Sequence, residues 1–367
     1  NSSSNSYSTP RFAKSDFSAI ELPSVDLDYF GSFAYSQSKS KLFTAGVLAT
    51  YKLDVTSDFG LNFLAGSELK TINGISSALG GRDFIIPGDF YSQQNNNAVL
   101  GDICQSMTKY NNNYYLVVNN SHKIEVTSAY NLKKTATITG LNSPRYILPI
   151  TYNKAYVSDL YSNTIQVIDL NTNAITGSIP SYSNTEEMAL IYNKAFVTSG
   201  STNYCYVINA ITDVVTDSIN VGKGASSIII DKNSKVWVLS SGSSTASQVG
   251  KLVRINPVTL QIELSLNFMS NDSPNQLCIN KTRDTLYYLN KGICQFPIVN
   301  GTLPASPIVN QGSKIYYGLG VNPVDYNIYV SDAIDYVQKS IIEIYSVNGN
   351  FKTSFHAGYI SNGFVFE

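Results

Sequence analysis

The chain has 367 residues, 25 Lys+Arg against 26 Asp+Glu, a net charge of −1, and only 14 % charged residues. So sparse and balanced a charge set disfavours duplex nucleic acid and anionic membrane surfaces, since both select clustered Lys and Arg. The length exceeds what one hydrophobic core usually serves, which calls for a core divided among repeated units. Tyrosine stands out at 26 residues beside a single Trp; it suits pleated strands and binding surfaces alike.

Residues 1–28 show little periodicity, and the opening NSSSNSYSTP reads as a polar tether downstream of a removed targeting segment. No apolar run reaches membrane-spanning length. Residues 29–104 hold strand-like runs such as SKLFTAGVLA, TYKLDVTSDF and DFIIPGDFY, broken by irregular turns and the polar loop Gln93 to Asn97. They are assigned to an irregular first blade, with room for more than one.

From Met107 the pattern becomes regular. After a first unit ending at Ile138, YNKAYVSDL begins at Tyr152 and YNKAFVTSG at Tyr192. VIDLNTNAITGSI begins at Val167 and VINAITDVVTDSI at Val207, so two segments recur at one offset of 40 residues. A period near forty, built from short runs of Tyr, Ile, Val and Thr between Asn and Ser turns, marks β-propeller blades. In TIQVIDL neither face is fully polar, which suits a sheet packed between two neighbours. Units over 224–268, 273–310 and 315–360 complete a set of six, and SNGFVFE leaves room for one more strand. A leftover terminal strand implies closure of the ring, as the innermost strand of a further blade whose outer strands come from the N-terminal region, which removes exposed sheet edges. The expected fold is all-β: a single propeller domain over 29–367 with seven blades of four antiparallel strands, eight remaining open.

Loops joining strands two and three, and each blade to the next, share one face and are the longer, more varied ones. Loops on a rigid scaffold carry function. The candidate ligand-binding residues on that face are Asn119, Asn120, Arg145, Tyr146, Tyr161, Tyr182, Tyr204, Asn275, Gln276, Asp332, Tyr336 and Tyr359. Aromatic plates beside amide donors and acceptors suit a neutral, polar, ring-bearing ligand or a protein partner. The opposite loops read as terse polar turns.

Chemistry is thinly supplied. The only histidines are His122 and His356, too few for a histidine-rich metal site. Cys104, Cys205, Cys278 and Cys294 form no CxxC pair and are expected as free thiols. Glu186 and Glu187 are adjacent and offer at most one carboxylate to the pocket, since neighbours on a strand point to opposite faces, so they imply no acid/base pair. No catalytic residue, metal or cofactor is expected.

QSMTKYNNNYYLVVNNSHKIEV, GLNSPRYILPI and KAYVSDLYSNTIQVIDLNTNAITGSIP resemble the YncE-like surface propellers of Bacteroidota, from about residue 100 onward. The resemblance implies an exported lipoprotein displayed on the outer membrane, with its lipid-bearing Cys upstream of Asn1. Its BtuG-type members capture cobalamin (vitamin B12) for an outer-membrane transporter, and a corrinoid with peripheral amides suits the Tyr and amide set. Two further readings stand beside corrinoid capture. One is an interaction subunit of an envelope or adhesin complex, with glycan binding as a variant of capture. The other is a lactonase-like enzyme, which would need an axial divalent metal.

Overall fold

The computed structural model describes residues 104–182 and 184–366 and, before them, the backbone of separate strands. The chain forms two compact units, residues 1–96 with 366–367, and residues 97–365. In the first, Phe43–Thr56 and Phe59–Ile72 make a long antiparallel hairpin, and Ile75–Ser76 and Gly80–Ile85 both pair with its second strand. Ser4–Tyr7 pairs with Phe33–Ser36. The tether expected over 1–28 and the first blade expected over 29–104 otherwise lie outside the described residues.

The second unit contains six four-stranded antiparallel sheets in simple up-and-down order. They are called blades 1 to 6 here and span residues 104–138, 144–180, 185–220, 225–267, 275–310 and 316–359. The first strand of each blade is the innermost, and consecutive innermost strands pack side by side around an axis. In blade 2 the strands are Pro144–Thr151, Lys154–Asp159, Thr164–Asp169 and Ala174–Pro180. Asp169 ends the third strand and accepts the N–H groups of Asn171 and Thr172, which shapes the turn into the fourth. Asn209 and Asn256 do the same in blades 3 and 4.

The alternation of each second strand explains why blades must stack. Ala155 and Val157 belong to a core shared with blade 1, whereas Tyr156 between them belongs to one shared with blade 3. Ala195 and Val197 likewise face blade 2 while Phe196 faces blade 4. Val236 and Val238 pack toward blade 3, and Trp237 and Leu239 toward blade 5. Each apolar cluster thus straddles two neighbouring blades, so a single sheet would leave one face bare. Polar ties reinforce the stacking. Lys154 donates to Ala210 O at 2.8 Å and Asp213 Oδ1 at 2.7 Å in blade 3, and Lys194 donates to Pro257 O at 3.1 Å in blade 4. The repeated lysine of YNKA is therefore an interblade tie.

Seven or eight blades were expected; six are found among the described residues. The count assigned outer strands of a further blade to residues 29–104, whose hairpin strands of 14 residues far exceed the six to eight of a typical inner blade strand. The C-terminal strand Phe364–Val365 has two residues and joins none of the four-stranded sheets. It does lie between the innermost strands of blades 6 and 1. Ser361 donates its N–H to Ser340 Oγ at 3.0 Å, and its carbonyl accepts Ser331 Oγ–H in blade 6. Asn362 donates to Gln105 O in blade 1 at 3.2 Å. The tail passes so close to blade 6 that a Cβ on Gly318 would fall 1.9 Å from Asn362 O. The turns of the opposite face are short, but not uniformly polar: Tyr152, Ile211, Val258 and Val299 are exposed on them.

Phe196 is fully buried between blades 3 and 4. Phe196→Ala is expected to lower the free energy of unfolding by about 3–5 kcal/mol, read from the urea midpoint. A loss under about 1 kcal/mol would show that this interface is not a packed core.

Candidate functional site at the propeller axis

A β-bulge breaks the pairing at the start of every innermost strand, between Cys104/Ser106, Pro144/Ile147, Thr185/Met188, Ala225/Ser227, Asn275/Cys278 and Tyr316/Gly318. The first residues passed over are Gln105, Arg145, Glu186, Ser226, Gln276 and Tyr317, each one step beyond its blade's first ladder residue, and in blades 2, 3 and 5 Tyr146, Glu187 and Leu277 are passed over as well. A bulge re-aims a side chain that would otherwise follow the ladder, and here it does so six times around one axis.

Three of these side chains join directly. Arg145 Nε donates to Glu186 Oε2 at 2.8 Å, and its Nη1 donates to Gln105 Oε1 at 2.5 Å. Gln276 Nε2 donates to Asn362 Oδ1 at 2.9 Å, and the Asn362 amide reaches Gln105 O. A polar chain therefore runs Gln276–Asn362–Gln105–Arg145–Glu186 through blade 5, the tail, and blades 1, 2 and 3. Tyr317 of blade 6 lies close enough for the charges of Arg145 and Glu186 to act on its hydroxyl. Tyr336 meets the Tyr317 ring edge-on, with centroids 5.8 Å apart at 85°.

The carboxyl groups here are shifted upward. Burial raises Glu186 above the ordinary carboxylate value, although Arg145 pulls the other way. Glu187 is pushed up to about 8, chiefly by burial and further by Glu186, while the Ile228 N–H of blade 4 favours its ionised form. That N–H donates to Glu187 Oε2 at 3.0 Å. Tyr146 is also raised, by burial and by the charges of Glu187 and Glu186. Burial, then Glu187, raises the Cys278 thiol. Arg145 and Glu186 offset each other, so the site presents hydrogen-bonding groups with little net charge.

The structure sorts the sequence-predicted residues into groups. Arg145, Tyr146 and Gln276 lie at the axis, and Tyr336 reaches it through Tyr317. Tyr182 and Tyr204 gather instead around Tyr206. Asn119 is buried and donates to Pro144 O at 3.0 Å, and Asp332 accepts the N–H groups of Ile315 and Ile334 at 2.9 Å. Both hold backbone. Asn275 donates to Ser273 O within its own loop. Asn120, Tyr161 and Tyr359 are exposed, with no described contact to the axial chain.

Gln105, Glu186, Glu187, Tyr317 and Asn362 were not among the predicted binding residues. Gln105, Arg145, Glu186 and Ser226 follow one another at 40 or 41 residues, so aligning the repeats by their first strands would have shown one polar column. Glu186 and Glu187 do look to opposite faces, the first to Arg145 of blade 2 and the second to Ile228 of blade 4. His122 and His356 are exposed, and among the described residues no group of three or more His, Cys, Asp or Glu could hold a metal ion. All four cysteines are free thiols.

The raised Glu187 carboxyl has a stability consequence. The folded protein keeps a proton that the unfolded chain releases near pH 4.5, so stability falls as pH rises from there to about 8. Urea unfolding is expected to show a loss of about 2–4 kcal/mol from this group between pH 5 and pH 8. In Glu187→Gln that component disappears; an identical pH slope in the variant would contradict the assignment.

The chain belongs to the family described as "Domain of unknown function (DUF5074)", whose profile matches residues 79–363. No curated protein matches it. Among solved structures it is similar to a quinonprotein alcohol dehydrogenase-like protein from Bacteroides thetaiotaomicron, with TM-score 0.62 and 12 % identity over 88 % of this chain and 94 % of that one. A functionally unknown protein from Desulfotomaculum acetoxidans gives TM-score 0.58 and 13 % identity, covering 82 % of this chain and 95 % of that one. Hydrazine synthase of Kuenenia stuttgartiensis gives 0.50 and 12 %, covering 63 % and 73 %. At these identities the likeness is one of fold, and a fold hosts many functions.

Proposed function

We propose that this protein is a non-catalytic binding propeller that captures a polar, ring-bearing small molecule at the axial site, with a corrinoid as the leading ligand. The observation that carries this reading is the polar chain from Gln276 to Glu186, flanked by Tyr146, Tyr317 and Tyr336. A corrinoid presents a broad apolar ring edged with primary amides. Those amides pair with Gln, Asn and Arg, and the ring edge packs against tyrosine. The internal Arg145–Glu186 pair leaves no strong field selecting a charged ligand, which suits an uncharged periphery. The resemblance to BtuG-type propellers favours the same ligand class. In this reading the protein works at the cell surface, held by a lipid anchor, and passes its ligand to an outer-membrane transporter.

A second reading is an interaction subunit of the cell envelope. It is favoured by the exposed tyrosines of the same face, Tyr161 and Tyr336 among them, because tyrosine is enriched in protein interfaces.

Calorimetric titration with cyanocobalamin tests capture. Binding is expected at micromolar concentrations or below, weakened about tenfold or more by Arg145→Ala and by Tyr336→Ala. No heat and no co-elution at micromolar concentrations would rule capture out.

A further inference from the structure

A second constellation lies away from the axial chain, in the loops between blades 2 and 3. Tyr206 is 4 % exposed, and its hydroxyl donates to Thr202 Oγ1 at 3.1 Å. Tyr182 lies flat on it, centroids 4.5 Å apart and planes 13° apart, and remains 55 % exposed. Tyr204 leans on the same ring at 6.4 Å and is 41 % exposed. A surface tyrosine pinned flat on a buried one has already given up its rotational freedom, so a ligand stacking on its open side orders nothing further.

The loop carrying this plate is knit to both neighbours through the backbone. Ser181 N donates to Asn163 O at 2.9 Å, Asn184 N to Leu160 O at 2.8 Å, and Gly200 N to Asn184 O at 2.9 Å. Asn184 adopts a left-handed backbone with φ of 58°. Its side chain packs so tightly on Gly200 that a Cβ there would fall 2.9 Å from Asn184 Oδ1. Ser181 Oγ and Asn184 Oδ1 are closed off from solvent inside the loop, which is packed tightly beneath its surface. The loop segments 160–163, 181–184 and 199–204 contain no charged residue of their own, and Lys223 reaches in only to donate its Nζ to Ser201 O.

We propose that this tyrosine plate is a second, off-axis binding site, for a neutral pyranose ring of an oligosaccharide. The C–H face of a pyranose packs on an aromatic ring, and its equatorial hydroxyls both donate and accept. The half-exposed Tyr182 and Tyr204 bring phenolic hydroxyls that donate and accept beside the plate. No carboxylate or unengaged cation stands on these loop segments to select sialic or uronic acids, Lys223 being held on Ser201 O. This site stands independently of the axial ligand.

The test is an array of neutral oligosaccharides built on glucose, galactose, mannose and N-acetylglucosamine, with sialylated and uronic-acid glycans alongside. The strongest neutral hit is then titrated by calorimetry. Tyr182→Ala is expected to lower affinity about tenfold or more, and Tyr182→Phe, which keeps the plate, to stay within about threefold of the wild type. Tyr336→Ala leaves this binding unchanged, while Tyr182→Ala leaves cyanocobalamin titration unchanged, so the two sites fail separately. Thermal melts confirm that the half-exposed Tyr182 can be replaced without unfolding. No neutral glycan bound, acidic glycans bound alone, or equal binding by Tyr182→Ala would each overturn the proposal.

Discussion

Two-sided burial is the constraint from which the rest of this structure follows. A strand such as Lys154–Asp159 is buried on both faces, with Tyr156 turned one way and Ala155 and Val157 the other. Each blade is therefore a wall between two cores, and stability belongs to the interfaces more than to any single sheet. Such an array is satisfied only when its first and last members are also covered. Ser361 and Asn362 meet that need by bonding to blade 6 and blade 1, and Gly318 lacks the side chain that would hold the tail away. Closure thus rests on a few hydrogen bonds and one close backbone approach.

The axial chemistry depends on the same closure. Six innermost strands each begin with a bulge, and the tail contributes Asn362, so polar side chains from separate blades come within bonding distance. Arg145 is the hub, linking Gln105 of one neighbouring blade to Glu186 of the other. Removing it would strand a buried carboxyl, which costs more than the pair itself contributes. Glu187, one residue on, has no such partner cation, and burial keeps its proton into the neutral range. The axis is therefore rich in hydrogen-bonding capacity and nearly balanced in charge, the combination expected of a site for a large uncharged polar ligand.

Much of this was legible in the sequence. The offset shared by Tyr152 and Tyr192 located the blades, because turn chemistry and strand period repeat together, whereas the terminal strand, expected as the innermost of a further blade, joins none of the four-stranded sheets. The blade number was not legible, since strand-like runs over 29–104 look alike whether they form a blade or a long hairpin. The site was half legible. Arg145, Tyr146 and Gln276 were found because the sequence reads there as variable loops, although all three stand at the bulged starts of innermost strands. Glu186 and Tyr317 were missed because a bulge is a property of pairing, invisible in one strand alone. Asn119 and Asp332 were selected as ligand groups, yet both hold backbone, and an amide or carboxylate in a turn reads the same in either role.

Amide hydrogen exchange on a chain shortened to end at Ile360 tests closure most directly. Loss of the Ser361 and Asn362 contacts should leave blades 2 to 5 protected. Protection should fall in Tyr316–Val321 and Cys104–Tyr110, the innermost strands flanking the tail. Unchanged protection in both strands would contradict the view that the tail seals the ring.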